Sequence, residues 1–147
     1  MTAQSQQQLI FGPFFGTILL TVVVWVYMYF KRITFINSLK IQPQQFTKRG
    51  ELERLSPPSV NNPSDNLKNL FEMPVIFYAL CVYLFVTQQV NSSYVLAGWV
   101  YVFFRTLHSL MHCTLNIIIV RFYLYLFSCL ALFYILFRSM SSQFGLI

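Results

Sequence analysis

The sequence predicts an all-α integral membrane protein, a four-helix bundle, and three observations lead there. Hydrophobic residues make up 56% of the 147, charged residues only 10%, and mean hydropathy is +0.59. A surface of that composition is not kept in water. Apolar runs long enough to cross a hydrocarbon core, which takes about 20 helical residues, recur along the chain. Basic residues gather on one polar segment, as the topology rule for cytoplasmic loops requires. The length fits a single domain, residues 1–147. The net charge of +6 and pI of about 9.4 would suit a nucleic-acid binder. No nucleic-acid motif surrounds the basic residues, however, so no such partner is expected.

The first span, 9–30, runs from Leu9 to Phe30. It closes on Trp25, Tyr27 and Tyr29, then Lys31 and Arg32, an aromatic belt followed by a positive anchor. No basic segment or A-x-A site precedes it, so it is expected to be a retained anchor. Gly12 and Gly16 form a G-x-x-x-G, but Pro13 lies between them and the pattern carries little weight as a dimerisation face. Residues 31–64 turn polar, basic and proline-containing. They read as one extended loop, helical at most around Lys48 to Leu55. The second span, 66–87, is expected to start at an N-cap on Ser64. Pro74 inside it should bend the helix.

"QQVNSS" at 88–93 is a short uncharged turn into the third span, 94–115. The fourth, 121–138, lies between Arg121 and Arg138, after a soft boundary near Asn116 to Val120. Lys31, Arg32, Lys40, Lys48, Arg49, Arg54 and Lys68 all flank or occupy the long loop, and the 88–93 turn has no basic residue. The positive-inside rule then places loop 31–64 in the cytoplasm and both termini on the opposite side, in the inner membrane if the source is bacterial. Cys81, Cys113 and Cys129 lie in apolar runs without C-x-x-C spacing and read as buried free thiols.

The third span carries "FFRTLHSLMHC", residues 103–113, with three ionisable side chains in an apolar run. At about 100° per residue, His108, His112 and Asn116 fall at about −60°, −20° and +20° from Arg105. All four share one face, with Ser109 beside them. Asp65, Asn69 and Glu72 on the second span fall within about 60° of one another. An unpaired arginine at a helix centre costs about 2.5–3.5 kcal/mol on the insertion scale, so Glu72 is the expected partner of Arg105. A structural ion pair is the plain reading, while intramembrane ionisable groups otherwise mark function. His108 and His112 have i, i+4 metal-ligand spacing, with Glu72 as a third candidate. Without a second acidic cluster no metal is expected. Cys113 points about 100° away from its neighbour His112, so the pair makes a poor nucleophile and base. The stripe reads instead as a cationic pocket for an anionic ligand, beside walls that admit a lipophilic small molecule or membrane lipid.

"NLFE" at 69–72, "RTLH" at 105–108 and Arg121 match in order and separation the N-x-x-E, R-x-x-H and helix-four arginine elements of a known family. Over residues 9–138 the chain resembles the MAPEG family, membrane-associated proteins in eicosanoid and glutathione metabolism, in its bacterial-type branch. The resemblance implies a homotrimer with a ligand site between subunits. It also implies glutathione as co-substrate, in a transferase or peroxidase acting on a lipophilic electrophile. By position, Arg121 would stabilise the thiolate, while Asn69, Glu72, Arg105 and His108 hold the charged ends of the tripeptide and Lys68 sits at the rim. Where catalytic members often carry a tyrosine one turn after the histidine, this chain has His112, the candidate replacement proton donor. Where a serine often follows the helix-four arginine, it has Phe122. The family also contains members that bind lipophiles without catalysis, which leaves a non-catalytic binding or scaffold protein as the alternative.

Overall fold

The computed structural model describes residues 3–39 and 50–145, and every regular element among them is a helix. In chain order these are α1 (Ala3–Gln8), α2 (Phe11–Leu39), α3 (Glu51–Leu55), α4 (Pro58–Asn69), α5 (Met73–Val86), α6 (Ser92–Cys113) and α7 (Ile118–Gln143). Helix α6 packs against α2, α4 and α7, so it lies innermost, and α5 closes the bundle against α2 and α7.

Three stretches are long and apolar enough to cross a membrane: Gln4–Leu39, Pro58–Val86 and Ile118–Gln143. Much of their surface is bare hydrocarbon, with Phe30 65%, Val86 71% and Ile119 69% exposed. Such a surface is stable only in lipid or against another chain. Helix α6 has the length, 22 residues, but not the uniform apolarity. Arg105, His108, Ser109 and His112 interrupt it, and all four are buried against other helices. Its polar face is covered by the protein itself.

The first two spans differ from the sequence expectation. Helix α2 continues nine residues beyond Phe30, to Leu39, because "KRITFINSL" contains no glycine or proline to stop it. At 29 residues it is about 43 Å long, against a hydrocarbon core of about 30 Å, so one end stands clear of the core. The 31–64 segment is therefore not one extended loop. Its far end is also helical, in α3 and in the first turns of α4. The expected helix around Lys48 to Leu55 is α3, of which Lys48 and Arg49 lie outside the described residues. Ser64 caps nothing. Helix α4 starts six residues earlier, at Pro58, where proline suits a first turn, and buried Ser64 accepts a hydrogen bond from Arg32 Nη2 at 3.1 Å.

Pro74 does more than bend the second span. It stands in the first turn of α5 and has no N–H to continue the ladder. Helix α4 closes at Leu70 in a tight turn, Leu70 and Phe71 N–H donating to the Asn66 and Lys68 carbonyls, and α5 starts afresh after Glu72. The break leaves the Asn69 carbonyl with a backbone contact of only 3.4 Å, from Glu72 N–H.

The glycines of the first span serve packing inside the chain. A Cβ on Gly12 would meet the Trp99 ring at 3.1 Å, and one on Gly16 would meet Val102 at 3.4 Å. On α6 the reciprocal Gly98 admits the Pro13 ring, which a Cβ there would meet at 2.8 Å. Small residues at these crossings let α2 and α6 approach closely. Below them Phe77 stacks on Tyr101 with centroids 4.4 Å apart, in a core shared with Leu84, Leu132 and Ile135.

Candidate functional site

Arg105 is wholly buried, and no carboxylate among the described residues pairs with it. Its Nη2 donates to the Asn69 carbonyl at 3.2 Å, the acceptor released by the break before Pro74. Its Nε donates to Tyr101 Oη at 3.4 Å, one helical turn earlier. The guanidinium also lies 4.5 Å from the centroid of the Tyr125 ring, whose negative face attracts a cation. A carbonyl, a phenol and an aromatic face thus do what the sequence reading gave to a carboxylate. Glu72 is exposed at the α4–α5 break and forms no ion pair among the described residues.

Tyr125 is the hub. Its ring lies between Arg105 and His108, the latter at 5.6 Å between centroids, and His108 meets His112 edge-on at 5.6 Å. His108 Nδ1 lies 2.9 Å from the Arg121 carbonyl. A carbonyl only accepts, so this nitrogen carries a proton. Arg121 is half-buried, and its Nη1 donates to Asn116 Oδ1 at 2.7 Å.

Helix α6 has ended by Asn116, which sits in the left-handed region at φ +50°, a conformation asparagine tolerates better than most residues. That turn carries its amide across to Arg121 on one side and to Asn62 Oδ1 on α4 at 3.1 Å on the other. One turn along α4, fully buried Asn66 accepts from Ser109 Oγ at 3.4 Å and donates to Cys113 Sγ at 3.5 Å.

Arg105, His108, His112 and Arg121 therefore come together, and Asn69 joins through its backbone. Lys68 stays outside, exposed and bonded to Asp65 at 2.9 Å with Glu53 at 3.8 Å. The face of α4 turned to α6 is Asn62 and Asn66, not Asp65 and Glu72. Asn62, Asn66 and Asn69 recur at i, i+4 and i+7, a one-face helical signal available in the sequence. Tyr125, one turn after Arg121, and Tyr101, one turn before Arg105, are likewise at contact spacing. Among the described residues no three His, Cys, Asp or Glu groups could hold a metal ion.

Three buried nitrogens in the cluster have no hydrogen-bond partner among the described residues: Arg105 Nη1, His108 Nε2 and His112 Nδ1. Buried polar atoms are seldom left so, and each orphan asks for a ligand atom or water. Beside the cluster, between α2 and α6, lies an apolar cavity of about 500 Å³ lined by Leu20, Val24, Ser109, Leu110 and Cys113.

The family model of the MAPEG family matches residues 10–141, nearly the whole chain. The chain belongs to the MAPEG family. This MAPEG protein is accordingly a membrane protein of the family concerned with glutathione and eicosanoid metabolism. No curated protein and no solved structure matches it.

Proposed function

We propose that this MAPEG protein is a glutathione-dependent transferase or peroxidase acting on a lipophilic electrophile. The observation that carries the proposal is the set of orphaned nitrogens on Arg105, His108 and His112, in a cluster whose arginines pair with no acid among the described residues. A tripeptide with two carboxylates fits such surroundings, since guanidinium groups bind carboxylates and favour a thiolate over a thiol. Glutathione, when bound, supplies the nucleophilic sulfur.

The chain's own groups divide the remaining work. Arg105 Nη1 offers a buried charge-assisted donor to a carboxylate, and Asn69 and Lys68 extend that grip towards the rim. Glu72, exposed and without an ion pair among the described residues, is left for the ammonium end or for a second copy in a homotrimer. Arg121 keeps Nη2 for the thiolate while Asn116 holds Nη1. His112 is assigned the proton donation to the carbon or leaving group as the carbon–sulfur bond forms. The cavity between α2 and α6 would take the lipophile, next to Ser109 and Cys113. The basic segment 31–64 lies in the cytoplasm on this reading, so glutathione enters from that side.

Glutathione binding to the detergent-purified protein tests the proposal. Saturable binding at millimolar concentration, lost in Arg121→Ala, is expected, and no binding at that concentration overturns it. The apolar cavity also supports a second reading, a lipophile carrier without turnover. A co-purified lipophile that survives Arg121→Ala, with no conjugating activity in the wild type, would favour it.

A further inference from the structure

At the opposite end of the bundle, a second pocket of about 250 Å³ opens between the α5–α6 turn and the end of α7. Gln89, Asn91, Tyr94, Arg138 and Ser142 line it. That volume lies below the roughly 300–1,000 Å³ of pockets that hold drug-sized ligands, and it suits a headgroup. The lining is polar, although the pocket sits where α7 leaves its apolar stretch.

Arg138 defines its chemistry. The chain's four acidic residues all lie at or before Glu72, and Arg138 forms no ion pair among the described residues. Its Nη1 donates to Ser93 Oγ and to Tyr134 Oη, and the guanidinium rests 5.1 Å from the centre of the Tyr94 ring. These contacts fix the plane of the fork while leaving Nη2 and Nε for a ligand. A planar fork held this way is suited to phosphate oxygens. The start of the 22-residue α6 adds a favourable field for an anion. Its first N–H groups are not free, since Asn91 Oδ1 accepts from Ser93 and Tyr94 N–H.

Gln89 supplies the second half of the signal. Its Oε1 is buried and has no hydrogen-bond partner among the described residues. A buried acceptor without a donor is costly, and phosphate, which has no proton to spare at neutral pH, cannot satisfy it. The pocket therefore presents a cation for a phosphate and an orphan acceptor for an N–H donor. We propose that it binds a phosphoethanolamine headgroup, the phosphate on Arg138 and the ammonium on Gln89 Oε1, from a phospholipid of the adjacent leaflet. Phosphocholine offers the same phosphate but no N–H. Phosphoglycerol offers only a neutral hydroxyl in place of the charge-assisted donor.

The test uses the full chain reconstituted in equal parts phosphatidylethanolamine, phosphatidylcholine and phosphatidylglycerol. The lipids retained after transfer to detergent are counted by native mass spectrometry. Enrichment of phosphatidylethanolamine by about tenfold is expected, the factor of one good hydrogen bond to a charged group. Gln89→Glu keeps the acceptor and should keep the enrichment, and it controls for folding of the turn. Gln89→Leu should retain phospholipid without preference, while Arg138→Gln should retain less of all three and Arg138→Lys an intermediate amount. Equal retention of the three lipids by the wild type, or enrichment that survives Gln89→Leu, overturns the assignment. Displacement of the retained lipid by millimolar glycerophosphoethanolamine would overturn the lipid as its source.

Discussion

Asn116 ties α4 and α7 together where α6 ends, and its contribution can be dissected by substitution. Its side chain makes two hydrogen bonds, accepting from Arg121 at 2.7 Å and donating to Asn62 at 3.1 Å, from a backbone at φ +50°. The bond to the guanidinium is charge-assisted, a class that contributes about 1.5–3 kcal/mol. Both partners are half-buried, so the low end applies. The bond to Asn62 contributes about 0.6 kcal/mol, the mean for interhelical side-chain bonds in membrane proteins. Asn116→Gly should then destabilise the fold by about 2 kcal/mol.

Asn116→Ala loses the same bonds and must also hold a Cβ in the left-handed region, at about 1–2 kcal/mol. The looser unfolded chain of the glycine variant takes back about 0.4–1 kcal/mol. Alanine should therefore be the worse of the two by about 0.5–1 kcal/mol. Asn116→Asp should be as stable as wild type, because the carboxylate pairs with Arg121 and the Asn62 amide can turn its NH₂ towards it. Thermal unfolding in detergent, followed by the fluorescence of Trp25 and Trp99, gives the order Asp, Gly, Ala. Alanine equal to glycine would refute the backbone argument. Wild-type stability in both would refute the junction of α4 and α7.

Four further outcomes follow from the same geometry. Arg105→Met removes a buried cation that no acid balances, so stability should fall by less than about 1 kcal/mol while glutathione binding is lost; equal loss of both measurements contradicts this. Arg105→Lys should be less stable than Arg105→Met, because one ammonium cannot reach Tyr101 Oη and the Asn69 carbonyl together. Gly98→Ala drives a Cβ to 2.8 Å from the Pro13 ring and should cost about 1–3 kcal/mol, whereas Gly16→Ala, at 3.4 Å from a rotatable Val102, should change the melting temperature little. A bulky aqueous maleimide should label Ser56→Cys only from the cytoplasmic side and Asn91→Cys only from the other; the reverse pattern inverts the topology.

The bundle was legible because lipid leaves its mark on composition: apolar runs of the right length announce spans whatever they pack against. The α6 stripe was legible for a related reason. Arg105, His108 and His112 share a face, and in an apolar helix such a face must turn inward. Helix ends were less readable. Nothing in "KRITFINSL" stops a helix, and its polarity marks departure from the apolar run without marking the helix end. Pro74 signalled a disturbance, yet only the backbone shows that α4 ends in a tight turn at Leu70.

That difference explains why the partner of Arg105 was misread. Counting 100° per residue from Asp65 to Glu72 assumes one continuous helix, and the break ahead of Pro74 leaves Glu72 exposed with no ion pair to Arg105. The same break leaves the Asn69 carbonyl weakly bonded, 3.4 Å from Glu72 N–H, and Arg105 takes it at 3.2 Å. Backbone acceptors are invisible to a search for opposite charges, so an ion pair was expected where a carbonyl serves. The consequence is chemical as well as structural. A carboxylate on Arg105 would cancel its field at the centre of the cluster. A carbonyl, a phenol and the Tyr125 ring hold the guanidinium without neutralising it, leaving its positive charge to act on whatever anion enters.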